Sequence, residues 1–270
     1  MAQIRSKGFT LIELIIVIVL LAIIGAFSFR FIGLGADVYR DTSARDQLVS
    51  QSRFALERLS RELRNALPLS VRVYDNNRCI QYVPILTSGE YLEVPTTANP
   101  GDTVTAIAPL ERRTPLSPSR HLVIFNTQTS TIYDDSGQRY LIADRQLSGS
   151  TIEFELTTSS SDPIEFNNVG PSRRYYEVGP PVSWCYLPDN GQLRRYQSAN
   201  FTAAEPLVQT VSSGSLMAEH VSNNASELLF EVENVVLSQN NLVLIDIEFT
   251  RDDAAEALNL LYEVHIPNVP

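Results

Sequence analysis

Glu13 is the residue in this chain best placed to react with another molecule. It is the only charged residue between Phe9 and Phe29, in a run dominated by Leu, Ile and Val. At about 1.5 Å per helical residue the run reaches roughly 30 Å, enough to cross a bilayer's hydrocarbon core. A carboxylate in such a span costs about 2.5–3.5 kcal/mol on insertion scales, so it calls for a partner. Arg5, Lys7 and Gly8 stand immediately before the run.

Other reactive side chains carry weaker signals. Cys79 and Cys185 are the only cysteines and form neither a C-x-x-C nor a zinc spacing. Their even number suits a disulfide in an oxidising compartment, the alternative being two buried free thiols. A bond between them closes a loop of about a hundred residues, worth up to ~4–5 kcal/mol in the chain-entropy model. His121, His220 and His265 are scattered and lack metal spacing. Asp134-Asp135 could hold calcium together with loop carbonyls, but adjacent aspartates in a turn are ordinarily solvated, and no cofactor is expected. Tyr175-Tyr176 and Trp184 could contact a sugar; packing in the core or at a sheet edge is the plainer reading. No G-x-S-x-G elbow, phosphate-cradling glycine loop or H-E-x-x-H motif is present, so no enzyme is expected.

The order Lys7-Gly8-Phe9-Thr10-Leu11-Ile12-Glu13, leading into an apolar helix, resembles the class III signal of type IV pilins and type II secretion pseudopilins. The resemblance covers residues 7–32. It implies that a membrane-embedded aspartyl prepilin peptidase requires Gly8, cuts between Gly8 and Phe9, and methylates the new amine of Phe9. It also implies that Glu13, four residues on, is the glutamate the family keeps for assembly. A neighbouring subunit's amine would pair with this carboxylate as helices slide into register, and two charges expensive alone in lipid become tolerable together. The positive end of the helix dipole favours a carboxylate in the first turn. Three other readings fit less well. A secretory signal cut near Ala26-Phe27-Ser28 would carry a glutamate in an unusually long apolar region. A plain anchor leaves Gly8 and Glu13 unexplained. A helix buried in a soluble domain would be less uniformly apolar.

Arg5 and Lys7 favour a cytoplasmic N-terminus, with Arg30 weakening the bias slightly. The expected location is therefore a single pass through the inner membrane with a periplasmic head, then a pilus on the cell surface. Partners implied by the resemblance are the prepilin peptidase, other minor and major pilins, and the assembly platform with its ATPase. Membrane lipid surrounds the chain before assembly. The formal net charge of −10, with no basic patch, argues against nucleic acid. Lys7 is the only lysine, so cleavage after Gly8 would leave Phe9 as the sole amine.

The elements that must carry these residues divide at Pro68. Residues 1–8 are expected as leader, 9–32 as transmembrane and assembly helix, 33–67 as amphipathic helix continuing into the head, and 68–270 as β-rich exported head. Gly33 and Gly35 soften the helix, and Pro68 stops it. Leu48, Ala55, Leu56, Leu59, Leu63 and Leu67 form an apolar stripe. Arg45, Arg53, Glu57, Arg58, Arg61, Glu62 and Arg64 are assigned to a solvated face. Beyond Pro68 the periodicity is two, clearest in 152–156 and 244–249. Short strands are expected over much of the head, including Thr131–Tyr133. Pro95, Pro100, Pro109, Pro115 and Pro118 mark an irregular stretch, and the Asp189-Asn190-Gly191 and Asp135-Ser136-Gly137 tripeptides mark hairpin turns. The fold class is α+β: a long N-terminal helix, transmembrane in its first half, packed on a large antiparallel sheet.

A looser second resemblance concerns the head. Residues 55–66 are similar to the helix end of larger minor pilins and of the J-type minor pseudopilin of type II secretion. The strand His121-Leu122-Val123-Ile124-Phe125-Asn126 and the ending 264–270 resemble the minor pilins of the mannose-sensitive haemagglutinin (MSHA) pilus, of the MshO type. This implies a minor pilin that primes or caps a fibre. The alternatives are a tip adhesin or a J-type pseudopilin.

Overall fold

The computed structural model describes residues 9–109, 120–134, 138–158, 163–198, 201–202, 214–224, 227–233, 240–250 and 257–267. Its first element, α1 (Leu11–Arg64), is 54 residues long and crosses a division of the chain into two compact units, Met1–Ser50 and Gln51–Pro270. Helical geometry passes through Gly33 and Gly35 without a break. In the second unit Ala55, Leu56, Leu59 and Leu63 are fully buried, as their three- and four-residue spacing requires of a core-facing stripe.

The helix ends three residues before the position expected. Asn65 and Ala66 leave it through tighter turns, donating to the carbonyls of Glu62 and Leu63. Leu67 then donates to Val83, and Leu69 adopts a φ of 61° just beyond Pro68. The chain proceeds through β1 (Arg72–Tyr74) and β2 (Cys79–Tyr82).

Six strands follow and close on themselves. They are β3 (Ile85–Glu93), β4 (Thr103–Ile107), β5 (His121–Ile124), β6 (Arg139–Ser148), β7 (Thr151–Thr157) and β8 (Arg174–Val178). Every neighbouring pair is antiparallel, in the order β3-β4-β7-β6-β5-β8 with β8 returning to β3. Closure leaves no strand edge open. Alternate residues fill the interior, among them Val104, Ala106, Leu122, Ile124, Phe154 and Tyr175. Gly89 of β3 provides space for the Tyr175 ring, since a Cβ there would meet Tyr175 Cε1 at 2.8 Å.

A long N-terminal helix followed by a largely antiparallel, strand-rich head is the expected α+β class, with the strands divided among this barrel and two sheets. After the barrel, β9 (Val182–Leu187), β10 (Gln192–Gln197) and β11 (Ser215–Ala218) join β1 and β2 in a five-stranded sheet ordered β1-β2-β9-β10-β11. A second, three-stranded sheet comprises β12 (Phe230–Glu233), β13 (Asn241–Thr250) and β14 (Ala257–Ile266). Because β2 and β9 are direct neighbours, the barrel is an insertion between two adjacent strands of the five-stranded sheet. The β9–β10 connection turns at Asp189-Asn190-Gly191, where Gly191 takes the left-handed conformation (φ 58°) that favours glycine. The other expected turn, 135–137, lies outside the described residues.

Two local expectations are corrected. Thr131–Tyr133 is helical, within α2 (Thr129–Tyr133), although Thr-Ile-Tyr has strand propensity. Burial of Ile132 and Tyr133, the Tyr133 hydroxyl donating to Ser70 O at 2.7 Å, and Asp134 N–H closing onto Ser130 O decide the matter. The proline-punctuated stretch contains β4, held between β3 and β7 despite prolines on both flanks.

Cys79 and Cys185 face each other across β2 and β9 and are bonded, with S–S 2.08 Å and a sequence separation of 106. The whole barrel lies inside the loop this bond closes. The double variant Cys79→Ala, Cys185→Ala is expected to lose about 2–5 kcal/mol, read as a lower urea midpoint that reductant no longer shifts. An unchanged midpoint would refute the staple role.

Candidate functional site: the N-terminal helix entry

The site begins with the chain's own capping chemistry. Thr10 precedes the first helical residue, and Glu13 stands three residues on. Glu13 Oε2 accepts from Thr10 N–H at 3.2 Å and from Thr10 Oγ–H at 3.1 Å, while Glu13 N–H donates to Thr10 Oγ1 at 3.4 Å. This reciprocal arrangement is a capping box, satisfying donors that a helix start otherwise leaves bare. The Thr10-x-x-Glu13 pattern announces it, and reading Glu13 as an isolated charge overlooks it.

Only one carboxylate oxygen is used in this way. Among the described residues Glu13 Oε1 has no hydrogen-bond partner. Phe9, the first described residue, is 76% exposed and stands four residues before Glu13; Gly8 lies outside the described residues. From Leu11 onward the helix presents Leu, Ile, Val and Phe on every side, most of them about half exposed or more. Nothing lies within 4 Å of where a Cβ would stand on Gly25, Gly33 or Gly35. A helix apolar all round cannot remain in water, so lipid or other helices must cover it. Its length and composition suffice for a membrane span.

The charged face expected to be solvated contains one exception. Glu62 is half-buried beneath the five-stranded sheet, and its carboxylate accepts from three strands. Trp184 Nε1–H donates at 3.1 Å, Arg195 Nε–H at 2.9 Å, and the Tyr82 hydroxyl completes the set. Arg58, one turn earlier on α1, donates to the other oxygen at 3.1 Å. Burial pushes the Glu62 pKa up, but the bonds from Tyr82, Arg195 and Arg58, with the charge of Arg195, hold it below the ordinary carboxylate value. Glu62 therefore fixes the end of α1 to the head. A pattern of exposed charges gives no hint of this, because its three partners on the strands come from residues 20 to 133 positions away.

The barrel interior holds a second buried carboxylate, Glu177. Arg120 Nη1–H donates to its Oε1 at 2.5 Å, and Arg145 Nη1 stands 3.5 Å from Oε2. Burial, aided by the negative charge of Glu177, pushes the Tyr175 hydroxyl up to about 12, with Arg145 opposing. These groups are structural charges within a packed core.

The remaining candidates do not converge. Tyr175 and Trp184 are fully buried and Tyr176 nearly so, which leaves no aromatic platform for a sugar there. His121 meets Phe201 edge to face with ring centroids 4.7 Å apart, His220 has a φ of 63°, and His265 is exposed on β14. Among the described residues no three His, Cys, Asp or Glu side chains form a metal-holding group; Asp135 of the calcium candidate lies outside them.

Residues 4–29 match the model of the prokaryotic N-terminal methylation motif. The match supports the type IV pilin and pseudopilin family, whose members are structural, non-enzymatic subunits. It takes in the Thr10–Glu13 cap and most of the exposed apolar run, and it implies processing by prepilin peptidase and assembly with other pilins. Membrane anchoring and pilus incorporation are consistent with the same segment. No curated protein and no solved structure matches the chain.

Proposed function

We propose that this chain is a minor pilin that primes or caps a type IV pilus of the MSHA type. In this reading residues 1–8 are the leader, Gly8–Phe9 the cut bond and Phe9 the methylated terminus. Residues 9–32 span the membrane and then pack in the fibre, 33–67 carry the helix into the head, and 68–270 form the exported domain. Arg5 and Lys7 keep the leader cytoplasmic. The observation that carries the proposal is the half-used carboxylate of Glu13: Oε2 caps its own helix and Oε1 remains available to a neighbour's amine. The large head suits a fibre end, where few copies must be accommodated, better than a shaft.

Mass spectrometry of the N-terminal peptide, from membranes and from sheared fibres, tests this reading. The expected peptide begins at Phe9 with one added methyl group, and the chain is scarce relative to the major subunit. A chain beginning at Phe29, or retaining Met1, would refute it.

One observation favours a second reading, a tip adhesin: the barrel is inserted between adjacent strands β2 and β9 and so forms an added module. Loss of a priming subunit reduces fibres, whereas loss of an adhesin leaves normal fibres that do not stick. Loss of a J-type pseudopilin would instead block secretion of exoproteins.

A further inference from the structure

The three-stranded sheet ends on β14. Its ten residues pair one for one with β13, from Asn241↔Ile266 to Thr250↔Ala257, without a bulge. The far side of β14 is therefore an unbroken row of outward N–H and C=O groups, and among the described residues nothing bonds to it. Exposed edges are ordinarily protected by proline, charged side chains, a bulge or a very short strand. Along its ten residues β14, ALNLLYEVHI, has no proline and no bulge, and its one charge is Glu263.

The strand is also incompletely buried on both faces. Leu258, Leu260 and Tyr262 are only half-buried, although their partners on β13, Phe249, Ile247 and Ile245, are wholly buried. On the opposite face Leu261 is 64% exposed. The uncovered apolar surface thus lies along the strand whose backbone also lacks a neighbour among the described residues.

We infer that β14 of a second copy of this chain covers this edge, antiparallel, about a two-fold axis centred on Leu261. Residues directly opposite in an antiparallel pair share a face, so this register sets Leu261 against Leu261, Leu260 against Tyr262 and Leu258 against Val264. Glu263, the only charged residue of β14, then faces Asn259 instead of its own copy. Like charges directly opposite destabilise a sheet, and this register contains none. The contact is isologous and closes at two copies.

Cysteine cross-linking of the full chain tests this, in membranes of a host that makes no other fibre subunit, so the outcome is independent of the pilus reading. The native cysteines are bonded to each other, which leaves an introduced thiol as the reactive one. With mild oxidant, Leu261→Cys is expected to yield a disulfide-linked species of twice the chain mass, since opposed Cα atoms lie ~4.5–5.5 Å apart. Glu263→Cys alone should remain monomeric, its copies being roughly 13 Å apart, four residues of strand rise. Mixing Asn259→Cys with Glu263→Cys should restore the adduct. Leu261→Arg, which sets like charges against each other at the axis, should abolish the dimer in detergent. The inference is overturned by no adduct at Leu261→Cys, by equal yield from Glu263→Cys, by an adduct of other mass, or by a Leu261→Arg chain that still dimerises. Protection of the Cys79–Cys185 pair from alkylation under reducing, native conditions checks that each variant is folded.

Discussion

Under the proposed function, Glu13→Val is expected to leave cleavage after Gly8 and methylation of Phe9 intact, but to lower the amount of this chain in sheared fibres by roughly a hundredfold relative to membranes. The expectation follows from an amine left without its counter-charge in an apolar setting. On insertion scales an unpaired charge costs about 2.5–3.5 kcal/mol, and each 1.4 kcal/mol is about tenfold in an equilibrium. Glu13 also caps its own helix, so the valine variant alone does not separate the two roles. Glu13→Gln does, because the amide oxygen can still accept from Thr10 N–H and Oγ–H while carrying no charge. Under the pairing account Gln is as defective as Val. Fibre incorporation of Glu13→Gln at wild-type levels, measured by immunoblot against the major subunit, would assign Glu13 to capping alone.

Glu62→Ala should be strongly destabilising, costing about 3–5 kcal/mol. It removes one acceptor from Trp184, Arg195, Tyr82 and Arg58 together, leaving a guanidinium, an indole N–H and a hydroxyl without their partner beneath the sheet. Trp184 is the chain's only tryptophan, so its fluorescence in urea reports directly on this contact. Acid should act through the same group. The folded pKa of Glu62 lies below its ordinary value of 4.5. Its stabilising contribution is therefore fully present above pH 4.5 and is lost as pH falls through the lower, folded value. The urea midpoint should decline on acidification below pH 4.5, and the decline should be shallower in Glu62→Gln. Equal slopes for the two proteins would show that Glu62 does not govern acid stability.

The connection between these two carboxylates explains what could be read in advance. Glu13 is conspicuous because its surroundings in the chain are apolar, and its cap is made by a residue three positions away. Glu62 looks like any residue on a charged helix face, because all but one of its partners are distant in sequence. The apolar stripe Ala55-Leu56-Leu59-Leu63 was legible for the same reason as Glu13, since helical spacing places those residues on one face whatever covers them.

Local pattern determined the helix, the strand-rich head and the hairpin at Gly191, because each depends on periodicity or on one backbone conformation. Tertiary structure alone decided that the strands form a closed barrel and two separate sheets rather than one sheet. Alternation shows that a strand has a buried face but not which strand lies beside it. It also turned Thr131–Tyr133 from strand to helix, where burial of Ile132 and Tyr133 outweighed propensity. The register that sets Cys79 opposite Cys185, with a barrel inserted between their strands, is a property of long-range pairing. No stretch of the sequence contains that information by itself, since both partners of each such contact must first be brought together.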